Sequence, residues 1–174
     1  MAFGQISLKG RALKLLAARE HSRKELERKL APHEAEPGQI QAALDELQAR
    51  GFLDEQRVVD SLLHRRSSRL GSGRIRQELQ AKGLDAERVA LAVSSLMATE
   101  VERAREVWRK KFGTPPADAA QRAKQARFLL ARGFSGEVVR RVLEWDGVAE
   151  GGGGARATVV LRSIRPEAEG SSHG

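Results

Sequence analysis

The sequence predicts an all-helical protein of three tandem three-helix repeats that form an elongated, curved molecule. Apolar residues recur at helical spacing, as at Ile40, Leu44 and Leu47, and such a stripe is typical of a helix face turned to a core. A block of sequence also recurs at an offset of 50 residues. Aromatic residues make up 4% of the chain and charged residues 31%, a balance typical of slender amphipathic helices.

The repeat is clearest between Leu79–Val93 and Leu129–Leu143, which align without a gap. In each copy a basic residue and a glycine precede an apolar residue, a short polar cap and a glutamate. A looser first copy includes Ser22–Leu30 and carries an extra stretch at 31–38. A unit of about 50 residues is marginally stable alone, so we expect neighbouring units to pack end to end.

Helix signals divide each unit into three helices. Side chains that can accept the free amides of a first turn predict N-caps at Ser22, Asp54, Ser72, Asp85, Thr99 and Ser135. Ser22 and Thr99 are each followed three residues later by glutamate, which predicts a capping box. Pro37 suits a first helical position. Glycines at 51, 83 and 133 follow basic residues and predict helix ends.

The predicted helices fall into three units and leave a separate tail. Unit 1 (1–53) has helices at 7–19, 22–31 and 37–50; unit 2 (54–98) has them at 54–70, 72–82 and 85–97; unit 3 (99–148) has them at 99–112, 117–132 and 135–147. In the remaining 149–174, Gly151–Gly154 predicts a flexible linker before a disordered tail. The alternative is that Thr158–Leu161 forms a strand or docks on another surface.

Charge is distributed unevenly along the chain, whose net charge is +8. The segment 20–55 has nine acidic and five basic residues, a net charge of −4, whereas 57–141 has 19 basic and nine acidic residues, a net charge of +10. Such a surplus is typical of a surface that binds nucleic acid or an acidic protein. Solubility alone is the competing explanation.

The densest basic run lies in unit 2, where Arg65, Arg66, Arg69, Arg74 and Arg76 occur with no acidic residue between 61 and 76. Within it, the sequence Gly-Ser-Gly at 71–73 predicts exposed amides that bind an anion at a helix N-terminus. Arginine suits phosphate because its planar fork donates two parallel hydrogen bonds. The alternative is a solvated helix face whose arginine stems cover apolar surface.

A second basic cluster comprises Arg103, Arg105, Arg109, Lys110 and Lys111. It surrounds Trp108, which we expect in the core rather than stacked on a base. The same expectation applies to Trp145.

The sequence offers no candidate for catalysis or for a bound cofactor. It contains no cysteine, which excludes disulfides and thiolate catalysis, and its four histidines have no metal-ligand spacing. It has no phosphate-binding loop motif and no supported catalytic triad. No apolar run is long enough to span a membrane. We therefore expect a cytoplasmic protein that is not an enzyme, and a monomer because no dimerisation segment is evident.

Three ordered blocks, Ser22–Leu30, Gly73–Leu84 and Phe128–Ser135, resemble the RecX family of bacterial recombination regulators, as does the junction Gly51–Asp54. The resemblance covers 10–146. It departs from the family after Asp54, where Glu55, Val58 and Val59 replace the family's second Asp and its aromatic residue followed by Ala.

The resemblance implies a regulator of RecA, the recombinase that coats single-stranded DNA. Such a protein binds the RecA filament along its groove and contacts protein and DNA. It restrains ATP hydrolysis and strand exchange, or promotes disassembly of the filament. By motif the resemblance adds Arg74, Arg76, Lys82 and Arg132 as contact residues, whereas Arg65, Arg66 and Arg69 follow from charge alone. Two alternatives are a stand-alone DNA-binding protein without sequence specificity and an adaptor that binds only protein.

Overall fold

The computed structural model describes residues 6–144, which form α-helices and one short 3-10 turn at Ala31–His33, with no strand among them. Numbered in chain order, the helices are α1 (Leu8–Ala18), α2 (Arg23–Leu30), α3 (Gln39–Ala49), α4 (Glu55–Arg66), α5 (Ser72–Ala81), α6 (Ala86–Met97), α7 (Glu100–Lys111), α8 (Ala119–Ala131) and α9 (Gly136–Leu143). The all-helical prediction is confirmed. Thr158–Leu161 and Trp145 lie outside the described residues.

Each three-helix unit has its own apolar core. Leu26 and Leu44 are fully buried in unit 1, Ile75 in unit 2, and Ala104 and Leu129 in unit 3. Within the described part of the chain, each cluster of buried apolar residues belongs to one unit only. The tandem arrangement of three-helix repeats is therefore confirmed. The hydrophobic effect stabilises each unit separately, because the buried apolar clusters of the described residues do not extend from one unit to the next.

Most of the predicted N-caps are present. Ser22 Oγ accepts a hydrogen bond from the Glu25 amide at 3.1 Å, and a carboxylate oxygen of Glu25 accepts one from the Ser22 amide at 2.9 Å. This reciprocal pair is the predicted capping box. Asp54, Asp85 and Ser135 also accept hydrogen bonds from amides of the first turn.

Three local predictions are wrong. The Thr99 side chain caps no helix, because its backbone (φ −110°, ψ 6°) lies outside the extended region of N-cap residues. Ser72 is the first residue of α5, and Gly71 is the N-cap. Pro37 lies in a turn, and α3 begins only after Gly38, whose φ is +93°.

The second helices of the three units, α8, α5 and α2, follow one another end to end. At the first junction, between units 1 and 2, Ser22 Oγ donates to the carbonyl of Lys82 at 2.5 Å. At the second junction, between units 2 and 3, the amide of Gly71 donates to the carbonyl of Arg132 at 2.8 Å. In both, the N-cap of one helix satisfies a free carbonyl at the C-terminus of the next unit's helix.

The second junction requires glycine because two backbones touch there. A Cβ at position 71 would lie 2.3 Å from the Phe134 amide nitrogen. A Cβ at position 133 would lie 2.3 Å from the Arg74 amide nitrogen, and the φ of Gly133 is +85°, which L-residues rarely adopt. The amide of Gly73 completes the contact by donating to the carbonyl of Gly133 at 3.0 Å.

We expect Gly71→Ala to destabilise the protein by about 1–3 kcal/mol, because a methyl group there must push the two backbones apart. The midpoint of urea denaturation, followed by circular dichroism, measures the effect. Gly136→Ala is the control, because Gly136 also stands at a helix N-terminus but has open space where its Cβ would lie. Equal midpoints for the two variants would contradict the close approach.

Candidate nucleic-acid interface

A groove at the second junction combines basic residues of units 2 and 3. It lies between the α4–α5 loop and the helices α7 and α8, and its volume is about 500 Å³. We call it the basic groove; its lining residues are Ser68, Arg69, Val107, Lys110, Lys111, Phe128 and Arg132. Four of the seven are basic and none is acidic. The groove therefore has the charge and the donors to bind a polyanion.

Unit 3 provides one wall of the basic groove from two helix C-termini. Lys110 and Lys111 stand in the last turn of α7, and Arg132 is the C-cap of α8. The Arg132 guanidinium lies 3.7 Å from the centroid of the Phe128 ring, one turn earlier on α8. The rings of Phe112 and Phe128 pack edge to face with their centroids 5.1 Å apart, and this contact fixes the Phe128 ring. The cation–π contact therefore holds the Arg132 guanidinium over a rigid aromatic ring.

Unit 2 provides the opposite wall from a loop. Helix α4 ends at Arg66 and not at 70 as predicted, so Arg69 lies in the loop between α4 and α5. From unit 3, the guanidinium of Arg103 donates through Nη1 to the carbonyls of Ser67 and Leu70, each at 2.8 Å. These two bonds bracket Arg69 and hold its loop against α7. Burial lowers the pKa of Arg103, and the nearby Glu100 carboxylate opposes that shift.

Of the seven residues predicted to contact the partner, the structure brings two into the basic groove, Arg69 and Arg132. Arg66 Nε lies 3.3 Å from a carboxylate oxygen of Glu78, and Arg74 Nε lies 4.0 Å from the other. Both side chains remain about half exposed at 52% and 54%.

Two further predicted arginines lie outside the groove. Arg65 Nε donates to a carbonyl of its own helix, that of Ser61, at 3.1 Å. Arg76 is exposed, and no carboxylate of the described residues pairs with it.

Lys82, also predicted as a contact residue, lies in the first junction. Its ammonium group is 3.0 Å from a carboxylate oxygen of Glu25, and its side chain is only 18% exposed. The same oxygen accepts a hydrogen bond from Arg19 at 3.0 Å. Lys82 therefore joins units 1 and 2, a role that its place in a repeated motif did not reveal.

The ion cluster around Glu25 holds this carboxyl group in its charged form. Burial raises the pKa of Glu25, but the Ser22 amide, Arg19 and Lys82 together outweigh burial and lower the pKa from 4.5 to about 2. The charged form is therefore strongly favoured in the folded protein.

The predicted anion site at residues 71–73 is wrong, because partners within the chain occupy its amides. The amides of Gly71 and Gly73 donate to the carbonyls of Arg132 and Gly133. The Ser72 amide donates to a carboxylate oxygen of Glu100 at 2.9 Å, and Ser72 Oγ donates to the same oxygen at 2.8 Å. The flexible glycines serve the packing of units instead of binding a ligand.

Trp108 is a core residue, as predicted. It is 3% exposed within the core of unit 3, and its indole nitrogen donates to the side-chain oxygen of Gln125 at 2.7 Å. It is therefore inaccessible to a nucleic-acid base.

The sequence indicated Lys110 and Lys111 as part of a basic cluster, but it did not place them beside Arg69 and did not mark Phe128 as a site residue. The one available signal was the spacing of Phe128 and Arg132, because residues four apart meet on a helix surface. Lys110 and Lys111 lie near Arg69 only because the second junction brings units 2 and 3 together, and a sequence pattern of a few residues does not predict contacts between units.

A second groove has the opposite charge. It lies between α4 and α6 in unit 2, has a volume of about 570 Å³, and includes Asp60, Asp85 and Glu87 among its lining residues. Its one basic residue, Arg88, is paired with Asp85 at 3.1 Å. This acidic groove would repel a polyanion.

A third groove, in unit 1, has a volume of about 490 Å³ and is lined by Arg11, Lys14 and Lys29 with no acidic residue. The basic groove has four basic residues against these three and combines two units, and it is therefore the stronger candidate site.

The described residues contain no group of three or more side chains placed to hold a metal ion. In that same part of the chain, no helix has the length and apolar character needed to cross a membrane.

Comparison with known proteins agrees with this architecture unit by unit. Family models of the first, second and third three-helix domains of RecX match residues 9–47, 54–93 and 98–143. The chain belongs to the RecX family. It is 63% identical over 139 residues to "Regulatory protein RecX" of Leptothrix cholodnii, covering 80% of this chain and 88% of that protein. The protein of the same name from Ralstonia nicotianae is 48% identical, covering 80% and 87%.

Solved RecX structures share the fold. The crystal structure of RecX from Lactobacillus salivarius matches with a TM-score of 0.68 over 78% of this chain and 92% of that one. Another crystal structure of a regulatory protein RecX matches with a TM-score of 0.64 over 78% and 70%. Sequence identity is 20% in both cases, so these likenesses show the fold alone.

We expect Glu25→Gln to destabilise the protein at neutral pH by about 3 kcal/mol, because the pKa of Glu25 falls from 4.5 to about 2 on folding and each pKa unit corresponds to about 1.4 kcal/mol. Since folding lowers the pKa of Glu25 from 4.5 to about 2, this stabilisation is complete above pH 4.5 and is lost as the pH falls through 2. Urea denaturation of both proteins across this range measures the difference. A difference independent of pH would contradict the ionic origin of the effect.

Proposed function

We propose that this protein regulates RecA by binding the RecA filament on single-stranded DNA and inhibiting ATP hydrolysis and strand exchange. Its membership of a family whose proteins are named regulatory supports the proposal. The observation that carries it is the basic groove, where Arg69 of unit 2 meets Lys110, Lys111 and Arg132 of unit 3. In this proposal the chain acts as a cytoplasmic monomer and performs no chemistry on its partner.

The basic groove suits the phosphate backbone of a nucleic acid. Arginine donates paired hydrogen bonds to phosphate oxygens, and lysine supplies a compact positive charge. Phe128 and the guanidinium of Arg132 together offer a surface on which a base can stack. Contacts to phosphate and stacking on an aromatic ring are available to every base, so we expect binding without sequence specificity.

The net charges of the units indicate which part of the chain contacts DNA and which part contacts protein. Unit 1 (1–53) has nine basic and seven acidic residues, a net charge of +2, whereas units 2 and 3 together (54–148) have 19 basic and 13 acidic residues, a net charge of +6. We therefore assign the DNA contact to units 2 and 3 and the contact with the recombinase to the acidic groove.

The triple variant Arg69→Glu, Lys110→Glu, Lys111→Glu should inhibit the DNA-dependent ATPase of RecA at least tenfold more weakly than the unaltered protein. The physical reason is that repulsion replaces attraction at three phosphate contacts. The measurement is the concentration of protein that halves the ATPase rate.

The matched control is Lys14→Glu, Arg28→Glu, Lys29→Glu, which changes the net charge equally but places the change in unit 1, where Lys14 and Lys29 line the groove of that unit. Equal weakening by both triples would contradict the proposed role of the groove. No inhibition by the unaltered protein at a stoichiometric ratio would contradict the proposed function itself.

The alternative, a stand-alone DNA-binding protein, is distinguished by a salt titration without RecA. For single-stranded DNA, log K falls with log salt by about 0.7 for each phosphate contact. Tight binding to bare DNA together with an unaltered RecA ATPase would favour the alternative.

A further inference from the structure

The two walls of the basic groove belong to units that share no apolar core. Ser68 and Arg69 come from unit 2, and the remaining lining residues come from unit 3. Each described cluster of buried apolar residues stays within one unit. The relative position of the two walls therefore depends on the short link between α6 and α7 and on polar contacts across the second junction.

Glu100 has a central place among these polar contacts. It is the first residue of α7 in unit 3, and it is only 4% exposed. One of its carboxylate oxygens accepts both the amide and the hydroxyl of Ser72, the first residue of α5 in unit 2, at 2.9 and 2.8 Å. One turn further along α7, Arg103 holds the loop that carries Arg69. Hydrogen bonds to a charged group are about twice as strong as neutral ones.

We propose that Glu100 is a positioning residue for polyanion binding: by fixing unit 2 to the N-terminus of α7, it holds Arg69 opposite Lys110, Lys111 and Arg132. This inference rests on the proposed function, because it concerns affinity for DNA in the same groove. By linkage, a polyanion that spans both walls in turn stabilises the second junction.

The direction in which DNA affinity changes when Glu100 is removed distinguishes a positioning role from simple electrostatic repulsion. Glu100 is negatively charged, and a long-range electrostatic model predicts that its removal strengthens the binding of DNA. Positioning predicts the opposite, because Glu100→Ala removes both hydrogen bonds to Ser72. This leaves only the contacts of Gly71, Gly73 and Arg103 to hold the walls, which loosens their arrangement. Glu102 is the matched control, because it stands on the same turn of α7 but is exposed.

The experiment measures binding of a fluorescent oligothymidine to the full chain by anisotropy, at fixed salt and at a temperature where circular dichroism shows each variant to be folded. We expect Glu100→Ala to weaken binding about fivefold, whereas Glu102→Ala leaves it unchanged or slightly tighter. Glu100→Gln should recover most of the loss, because its amide oxygen still accepts from Ser72. The same oligothymidine should also raise the Tm of the unaltered protein more than that of Glu100→Ala.

If Glu100→Ala does not fold, Ser72→Ala replaces it as a test without a change of charge. We expect it to weaken binding about twofold, with Ser94→Ala on the exposed face of α6 as its control. Binding by Glu100→Ala that equals or exceeds that of Glu102→Ala would overturn the inference, as would equal binding by Ser72→Ala and Ser94→Ala. Failure of the unaltered protein to bind oligothymidine would instead reject the DNA contact of the proposed function, whereas inhibition of the RecA ATPase tests the proposed function itself.

Discussion

The end-to-end contact of second helices determines how the three units stand relative to one another. At both junctions the N-cap of one helix donates to the C-cap carbonyl of the helix in the next unit, from Ser22 to Lys82 and from Gly71 to Arg132. Helix termini leave such groups without partners inside the helix. The same property that ends each helix therefore joins each unit to its neighbour, and it joins them through polar groups that a small change can disturb.

This construction explains why the candidate site is at a junction. The arrangement of the units depends on a few polar contacts that involve the backbone, Glu25 and Glu100. Each hydrogen bond contributes only about 1 kcal/mol net, so the loss of one or two of them can change that arrangement. The basic groove combines charge from both sides of the second junction. Affinity for an extended anion then depends on the geometry of the junction as well as on the number of arginines and lysines.

Local features of the fold could be predicted from the sequence, and non-local ones could not. Periodicity and caps such as Asp54 and Ser135 predicted the helices because the physical causes lie within a few residues. Ser72 looked like an N-cap, but its hydroxyl donates to Glu100, 28 residues further along the chain. Gly71 and Gly73, on either side of Ser72, suggested an anion site. That prediction failed because no nearby residue in the sequence shows that the backbone of Gly133 packs against these two glycines.

We infer that the second junction holds units 2 and 3 in a single arrangement. Because the chain has no cysteine, spin labels can be attached at Ser94→Cys on α6 and Ala120→Cys on α8, two exposed positions in different units. Pulsed electron paramagnetic resonance then measures the distance between them. We predict one narrow distance distribution in solution without any ligand, whereas a broad distribution would show that the junction does not fix the two units.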